Sequence, residues 1–244
     1  PSVDWCYETE SDPGLNHRKI KWPRGKVLGG SSSLNGLLYV RGQSQDYDRW
    51  QQMGNKGWGW DSVLPLFKRA ENQELGEDDY HGVGGPLTVS DMRLQRPICD
   101  AWVHAAQNAG YKYNTDYNGA DQEGVGYFQL TTKNGRRCSA AVAYLNPAKK
   151  RKNLRVITRA LTKKIVIEGE RATGVIFEKA NGTEVFVKAS KEVILSSGSI
   201  GSPQILMLSG IGDAAHLKSK GVEVHKHLPG VGKNLQDHLQ ARLV

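Results

Sequence analysis

The chain has 244 residues, of which 38% are apolar and 24% charged, with a formal net charge of +8. That length can bury a sizeable core, as one large domain or two small ones. No window approaches the roughly 20 apolar residues of a membrane span, and no signal-peptide core is visible. Cys6, Cys99 and Cys138 stand far apart without CxxC spacing, which argues against a disulfide framework or a zinc site and fits a reducing, cytoplasmic compartment.

Residues 1–23 read as irregular. A glycine- and serine-rich run follows at Arg24-Gly25-Lys26-Val27-Leu28-Gly29-Gly30-Ser31-Ser32-Ser33-Leu34-Asn35-Gly36. The spacing predicts a helix from Asp46 to Met53 with Asp46 as N-cap, and another from Asp61 to about Glu71 with Val63, Leu64, Phe67 and Ala70 as its apolar face. The acidic, glycine-rich stretch Glu74 to Gly85 reads as a loop. Pro97 to Ala109 reads as a helix closed by Gly110, and Ser139 caps a short helix that Pro147 ends.

From residue 154 the period changes to that of strands: Leu154–Thr158, Thr162–Glu168, Ala172–Glu178 and Thr183–Lys188, with Asn181-Gly182 as a hairpin turn between the last two. Glu192 to Ser196 reads as a buried strand. Ser202 then caps a helix with Pro203 at its first position. Trp50, Trp58 and Trp60 read as packing residues rather than a substrate box. The histidines show no metal-ligand spacing, so no metal is expected. The basic run Lys149-Lys150-Arg151-Lys152 lies past Pro147 without interleaved aromatics, which suits a solvated turn better than nucleic acid. Attraction to an anionic membrane surface is the alternative.

The glycine run is the candidate site. Gly29 and Gly30 have no Cβ and adopt positive φ at little cost, so backbone can approach a flat or phosphorylated ligand closely. Successive N–H groups and serine hydroxyls there can cradle anionic oxygens or a polarised ring edge. The run continues into Tyr39-Val40-Arg41-Gly42-Gln43 and Asp46-Tyr47-Asp48-Arg49-Trp50. Far downstream lie Gly198-Ser199-Ile200-Gly201-Ser202-Pro203-Gln204-Ile205-Leu206-Met207-Leu208-Ser209-Gly210-Ile211-Gly212 and Pro229-Gly230-Val231-Gly232-Lys233-Asn234-Leu235-Gln236-Asp237-His238. This combination resembles the glucose–methanol–choline (GMC) family of FAD-dependent oxidoreductases, across essentially the whole chain. Tyr80-His81-Gly82-Val83-Gly84-Gly85-Pro86-Leu87 and Asn134-Gly135-Arg136-Arg137-Cys138-Ser139-Ala140-Ala141 are most similar to its bacterial alcohol and choline dehydrogenase branch.

The resemblance implies an α/β, or mixed α+β, fold: part of a Rossmann-like FAD-binding domain with a β-meander, and part of a substrate cap. Residues 1–90 and 151–244 would belong to the FAD domain and 91–150 to the cap. Val27, Asn35, Gly36, Leu37 and Leu38 match positions that contact FAD. Gly29, Gly30, Ser31 and Ser32 would lie against the isoalloxazine and pyrophosphate. Thr162 falls where a valine backbone commonly meets the adenine, Gly198 turns the chain into a helix beside the cofactor, and Asp237 sits in a loop near the flavin. Leu34 occupies the place where some members carry a histidine bonded to the ring, so the FAD is expected to be non-covalent.

The implied reaction is hydride transfer from a primary alcohol, aliphatic or choline-like, to flavin N5, giving an aldehyde. Choline dehydrogenation proper is one alternative and a catalytically silent flavin- or partner-binding protein another. A quinone or similar acceptor is expected, with peripheral membrane association as an option. The G-x-G-x-x-G unit and the catalytic histidine region of the family have no match here. The chain therefore reads as a piece of a longer protein whose catalytic residues lie beyond Val244, the piece itself being inactive.

Overall fold

The computed structural model describes residues 2–238, 240 and 241, and divides into two compact units, Pro1–Arg155 and Val156–Val244. It is a mixed α/β structure built on small sheets, as expected. Among the described residues no helix is long and apolar enough to cross a membrane.

In the first unit, β1 (Tyr7–Glu8) and β2 (Lys21–Trp22) pair antiparallel, so residues 1–23 are more regular than their polarity suggests. The glycine run forms a 3-10 turn, Gly30–Ser33, led by Gly29 at φ 89°. The first predicted helix is displaced. Helix α1 spans Ser44–Gln52 with Gln43 as N-cap, and Asp46 sits at the third helical position, where its carboxylate accepts from the Gln43 N–H at 2.8 Å. This is a capping box with a glutamine in the serine's role, so a single acidic residue misidentifies the start by a few residues.

Helix α2 runs Trp60–Ala70 from Gly59, and the cap comes from elsewhere: Asp48 of α1 accepts the Trp60 N–H at 2.9 Å. Asp61 is inside the helix, and Glu71, its C-cap as expected, also opens strand β3 (Glu71–Gln73). Tyr47, Trp50, Trp58, Trp60 and Phe67 join α1 and α2 through edge-on and tilted ring contacts, which is packing rather than a box. β3 pairs in parallel with β4 (Leu87–Val89), and the predicted loop 74–85 is the connection between them.

Helix α3 (Pro97–Asn108) follows its prediction closely. β5 (Thr132–Lys133) and β6 (Arg136–Arg137) make a hairpin over Asn134-Gly135. Pro147 does not end the next helix. A π-helical turn, Ala141–Leu145, runs without a break into α4 (Asn146–Ala148), and Pro147 lies one residue before the end of that run.

The second unit is built on a three-stranded antiparallel meander. Its strands are β7 (Ala160–Glu168), β8 (Arg171–Lys179) and β9 (Glu184–Lys188). Asn181-Gly182 makes the expected turn, with Gly182 at φ 80°. Two strand predictions fail. Leu154–Thr158 and Glu192–Ser196 are extended in composition but join no ladder among the described residues, and Ile194 stands 79% exposed. β-propensity records fit to a pleated surface, and without a paired neighbour it yields no strand. Helix α5 (Gly198–Leu208) begins a turn earlier than predicted, with Pro203 inside it. Ser202 does not cap α5 but accepts the Ser197 N–H through its hydroxyl at 2.9 Å. α5 packs on β7, and the Ser209 hydroxyl takes the Ile165 N–H at 2.8 Å. β10 (Ile211–Gly212), α6 (Ala214–Ser219) and β11 (Lys226–His227) complete the unit, β10 and β11 being parallel. The sequence also offers an apolar, strand-like run at Leu239 to Val244, most of which lies outside the described residues.

The interiors of the two units differ in kind. Ile165, Phe177, Ile205 and Leu217 form the second core, whereas every buried polar residue among the described ones (Arg41, Glu71, Gln73, His81, Ser90, Asn118, Gln129 and Ser139) belongs to the first.

Candidate functional site

The glycine turn is close-packed on one side and open on the other. A Cβ on Gly25 would stand 2.3 Å from the Gly30 carbonyl oxygen, and one on Gly29 would stand 2.5 Å from the Ser33 hydroxyl and 3.1 Å from Ala141. Gly29 and Gly30 adopt φ of 89° and 56°, which side chains disfavour. Nothing lies within 4 Å of where a Cβ on Gly30 or Gly36 would project. Val27, Leu28, Leu34 and Leu38 are exposed around this open side. A planar ligand with an apolar face and polar edges fits such a surface.

Side-chain bonds fix the turn. The Ser32 hydroxyl donates to the Gly29 carbonyl at 2.6 Å and accepts the Ala140 N–H at 2.9 Å. The Ser33 hydroxyl donates to the Leu28 carbonyl, and the Ser31 hydroxyl accepts the Gly25 N–H. Arg137 Nη1 donates to both the Ser32 carbonyl (3.1 Å) and Asn35 Oδ1 (2.8 Å). Asn35 Oδ1 also accepts the Leu37 N–H at 3.1 Å, and Leu37 holds φ 69°. A γ-branched residue in the left-handed region is strained and persists only where its surroundings hold it. Here the Thr131 N–H and hydroxyl both donate to the Leu37 carbonyl.

Of the twelve residues singled out from the sequence, Val27, Gly29, Gly30, Ser31, Ser32, Asn35, Gly36, Leu37 and Leu38 therefore form one continuous surface of the first unit. The other three lie on separate elements of the second. Thr162 is half-buried on β7 beside a register shift at Thr162/Lys164. Gly198 opens α5 at φ 81°. Asp237 is exposed and accepts the His238 backbone N–H at 2.9 Å.

Sequence reasoning missed a buried charge network in the same unit. Arg41 Nη2 donates to Glu71 Oε2 at 2.7 Å, with both side chains almost wholly buried. Arg41 also reaches the Tyr80 carbonyl at 2.7 Å, and its backbone N–H and C=O meet the Asn118 and Gln122 side chains. His81 sits between two carboxylates, Nδ1 3.1 Å from Glu71 Oε2 and Nε2 3.1 Å from Asp116 Oδ1. Both ring nitrogens thus face acceptors, as suits an imidazolium. The Glu71 contact raises the His81 pKa most; burial opposes it and Asp116 adds to it. Gln73 and Gln129 extend the network to Asp91. Burial pushes the Tyr117 hydroxyl up to about 12, and that hydroxyl ties the Gln129 N–H to the Tyr39 carbonyl.

Asp78, His81 and Asp116 also bring ligand-type atoms within 4.8 Å of one another, a proximity that linear spacing hides. Each is already engaged: His81 Nε2 meets Asp116, and Asp78 Oδ1 accepts the N–H groups of Tyr80 and His81. Arg41 and Arg137 stood within recognisable motifs, but their partners lie 30 and about 100 residues away.

Comparison with known proteins agrees with this geometry. Residues 7–240 match the family described as GMC oxidoreductase. The chain is 53% identical over 237 residues to the oxygen-dependent choline dehydrogenase of Sinorhizobium fredii, covering 97% of this chain and 43% of that protein. It is 51% identical to the mitochondrial choline dehydrogenase of Homo sapiens, covering 97% and 40%. It thus spans less than half the length of these curated relatives. Among solved structures, pyridoxine 4-oxidase from Mesorbium loti superposes with a TM-score of 0.92 at 35% identity, over 98% of this chain and 47% of that one. With its glycine turn, its downstream signatures and its fold all in agreement, the chain belongs to the GMC oxidoreductase family.

Proposed function

We propose that this chain is the FAD-holding part of an oxidoreductase that acts on the CH–OH group of a primary alcohol, choline or a choline-like amino alcohol first, and yields the aldehyde. The observation that carries this reading is the turn at Gly25, Gly29 and Gly30. Its backbone is pressed so closely that two of the three positions have no room for a Cβ, while its outer side is open. That is a surface shaped for a flat ligand. Relatives named choline dehydrogenase at 49–53% identity support the substrate class.

FAD, when bound, supplies the hydride acceptor. The residues of this chain hold and orient it. Val27, Gly29 and Gly30 allow backbone contact, Ser31 and Ser32 stiffen the turn, and Asn35, Gly36, Leu37 and Leu38 continue the surface. Thr162, Gly198 and Asp237 are the second unit's positions that the family resemblance implies for cofactor contact. The residues 1–90 and 151–244 form the cofactor-binding part and 91–150 the substrate-facing part. No residue of this chain is assigned a proton-transfer role. Leucine at position 34 has no atom that could bond covalently to the flavin, so attachment is non-covalent. The electron acceptor is a quinone or similar compound and the compartment is cytoplasmic, with peripheral association at an anionic membrane surface as an option that the net charge of +8 on this chain favours.

The test is dye reduction by the full-length protein with choline, aliphatic alcohols, aryl alcohols and sugars. Fastest turnover with choline, alongside a stoichiometric flavin absorbance, is expected. A protein that purifies without flavin and cannot be reconstituted refutes the reading. Faster turnover with an aryl alcohol refutes the substrate class alone.

A further inference from the structure

We propose that Arg137 is a positioning residue for the cofactor-facing turn: it fixes the Asn35 carboxamide so that the NH2 group, not the oxygen, is presented on the open side. This rests on the FAD reading above.

An amide oxygen has two lone pairs. Asn35 Oδ1 spends both, one on Arg137 Nη1 at 2.8 Å and one on the Leu37 N–H at 3.1 Å. A flipped amide would set its NH2 against two donors, so the bonding pattern selects one orientation. The same Nη1 holds the Ser32 carbonyl at 3.1 Å, at the end of the 3-10 turn. One guanidinium thereby ties both a carbonyl within the turn and the side chain that follows it. Arg137 is itself held on the β5–β6 hairpin by its pairing with Thr132. Thr131, next to that hairpin, holds the strained Leu37.

The consequence is electrostatic. A donor presented to a ring that gains negative charge on reduction favours the reduced form, and an oxygen presented there disfavours it. Without Arg137 one of the two constraints on the amide is gone, and both orientations become accessible.

The experiment uses full-length holoenzyme in four forms: wild type, Arg137→Met, Arg137→Lys, and Asn35→Asp, which is acceptor-only at that position. Reported quantities are the flavin midpoint potential and the FAD dissociation constant. Arg137→Met is expected to lower the potential and to raise the dissociation constant about tenfold, the scale of one lost charge-assisted hydrogen bond. Arg137→Lys, which keeps a donor and the charge, should recover most of both. Asn35→Asp, which presents a charged acceptor there, should lower the potential at least as far. If Arg137→Met does not fold, Arg137→Gln takes its place, with a lowered potential and weaker FAD binding expected and an unchanged potential again overturning the proposal. Flavin that stays bound with an unchanged potential in Arg137→Met overturns the proposal and leaves the FAD reading standing. Wild-type protein without any flavin overturns both.

Discussion

Replacing Glu71 by glutamine removes one negative charge from the middle of the first unit while keeping its shape. In the native structure that carboxylate takes Arg41 Nη2 at 2.7 Å, His81 Nδ1 at 3.1 Å and the Gly82 N–H at 3.1 Å. In Glu71→Gln the Arg41 guanidinium, its side chain 2% exposed, stays charged because arginine does not deprotonate in proteins. Breaking a buried ion pair from one side costs about 3–5 kcal/mol. Arg41 keeps the Tyr80 carbonyl at 2.7 Å and the Tyr39 hydroxyl at 3.3 Å, which places this case near about 3 kcal/mol. With a urea slope of about 2 kcal/mol per molar, the unfolding midpoint should fall by about 1.5 M.

All six tryptophans, Trp5, Trp22, Trp50, Trp58, Trp60 and Trp102, lie in the first unit. Indole fluorescence of this chain therefore follows that unit alone. The pH dependence provides an internal control. The pKa of His81 is raised in the fold above its ordinary 6.5, chiefly by Glu71. Its stabilising effect is complete below the unfolded value and is lost as pH rises through the folded one. The gap between wild type and Glu71→Gln should accordingly narrow as pH rises through the folded pKa. The His81 ring resonance should titrate at lower pH in the variant. A midpoint shift under about 0.3 M, or an unmoved His81 titration, would refute the assignment of Glu71 as the centre of this network.

Three further outcomes are expected. Gly25→Ala places a methyl 2.3 Å from the Gly30 carbonyl oxygen, so full-length protein carrying it should purify with much less flavin absorbance than wild type; equal flavin content would show that the turn does not approach the cofactor. Acid precipitation of the full-length enzyme should release all its FAD into the supernatant, since position 34 is leucine, and yellow colour retained in the pellet would count against non-covalent attachment. In the second unit, Gly174→Ala drives a methyl to 2.4 Å from both the Phe186 ring and the Val187 carbonyl oxygen. Such overpacking costs about 1–3 kcal/mol, visible as an earlier thermal loss of circular dichroism with tryptophan fluorescence unchanged, whereas an unchanged melt would mean the meander yields freely there.

Local chemistry was legible in the sequence and distant pairing was not. Asn181-Gly182 announces its hairpin and Pro97 its helix because those signals act within a few residues. The glycine run announced a tight turn with positive φ at Gly29 and Gly30 for the same reason. Asp46 and Asp61 misled, since the capping groups in use are Gln43 beside Asp46 and Asp48 from the neighbouring helix. Glu192–Ser196 misled because a strand is a property of two segments. The network of Arg41, Glu71, His81 and Asp116 left no periodic trace. Glu71 and Gln73 point inward from β3, where a binary pattern reads charged residues as solvent-facing.

The two units also differ in how far apart in the chain their partners lie. In the second, β7, β8 and β9 follow one another through short turns, so its sheet needs only neighbours already made and can form quickly. In the first, Arg41 waits for Asn118 and Gln122, and Ser32 waits for Arg137 and Ala140. Each of those closures must first gather a long loop. During synthesis the glycine turn is therefore emitted early and finished late: its geometry becomes complete only after another hundred or so residues have left the ribosome, and any ligand that needs that geometry binds a chain already well advanced in folding.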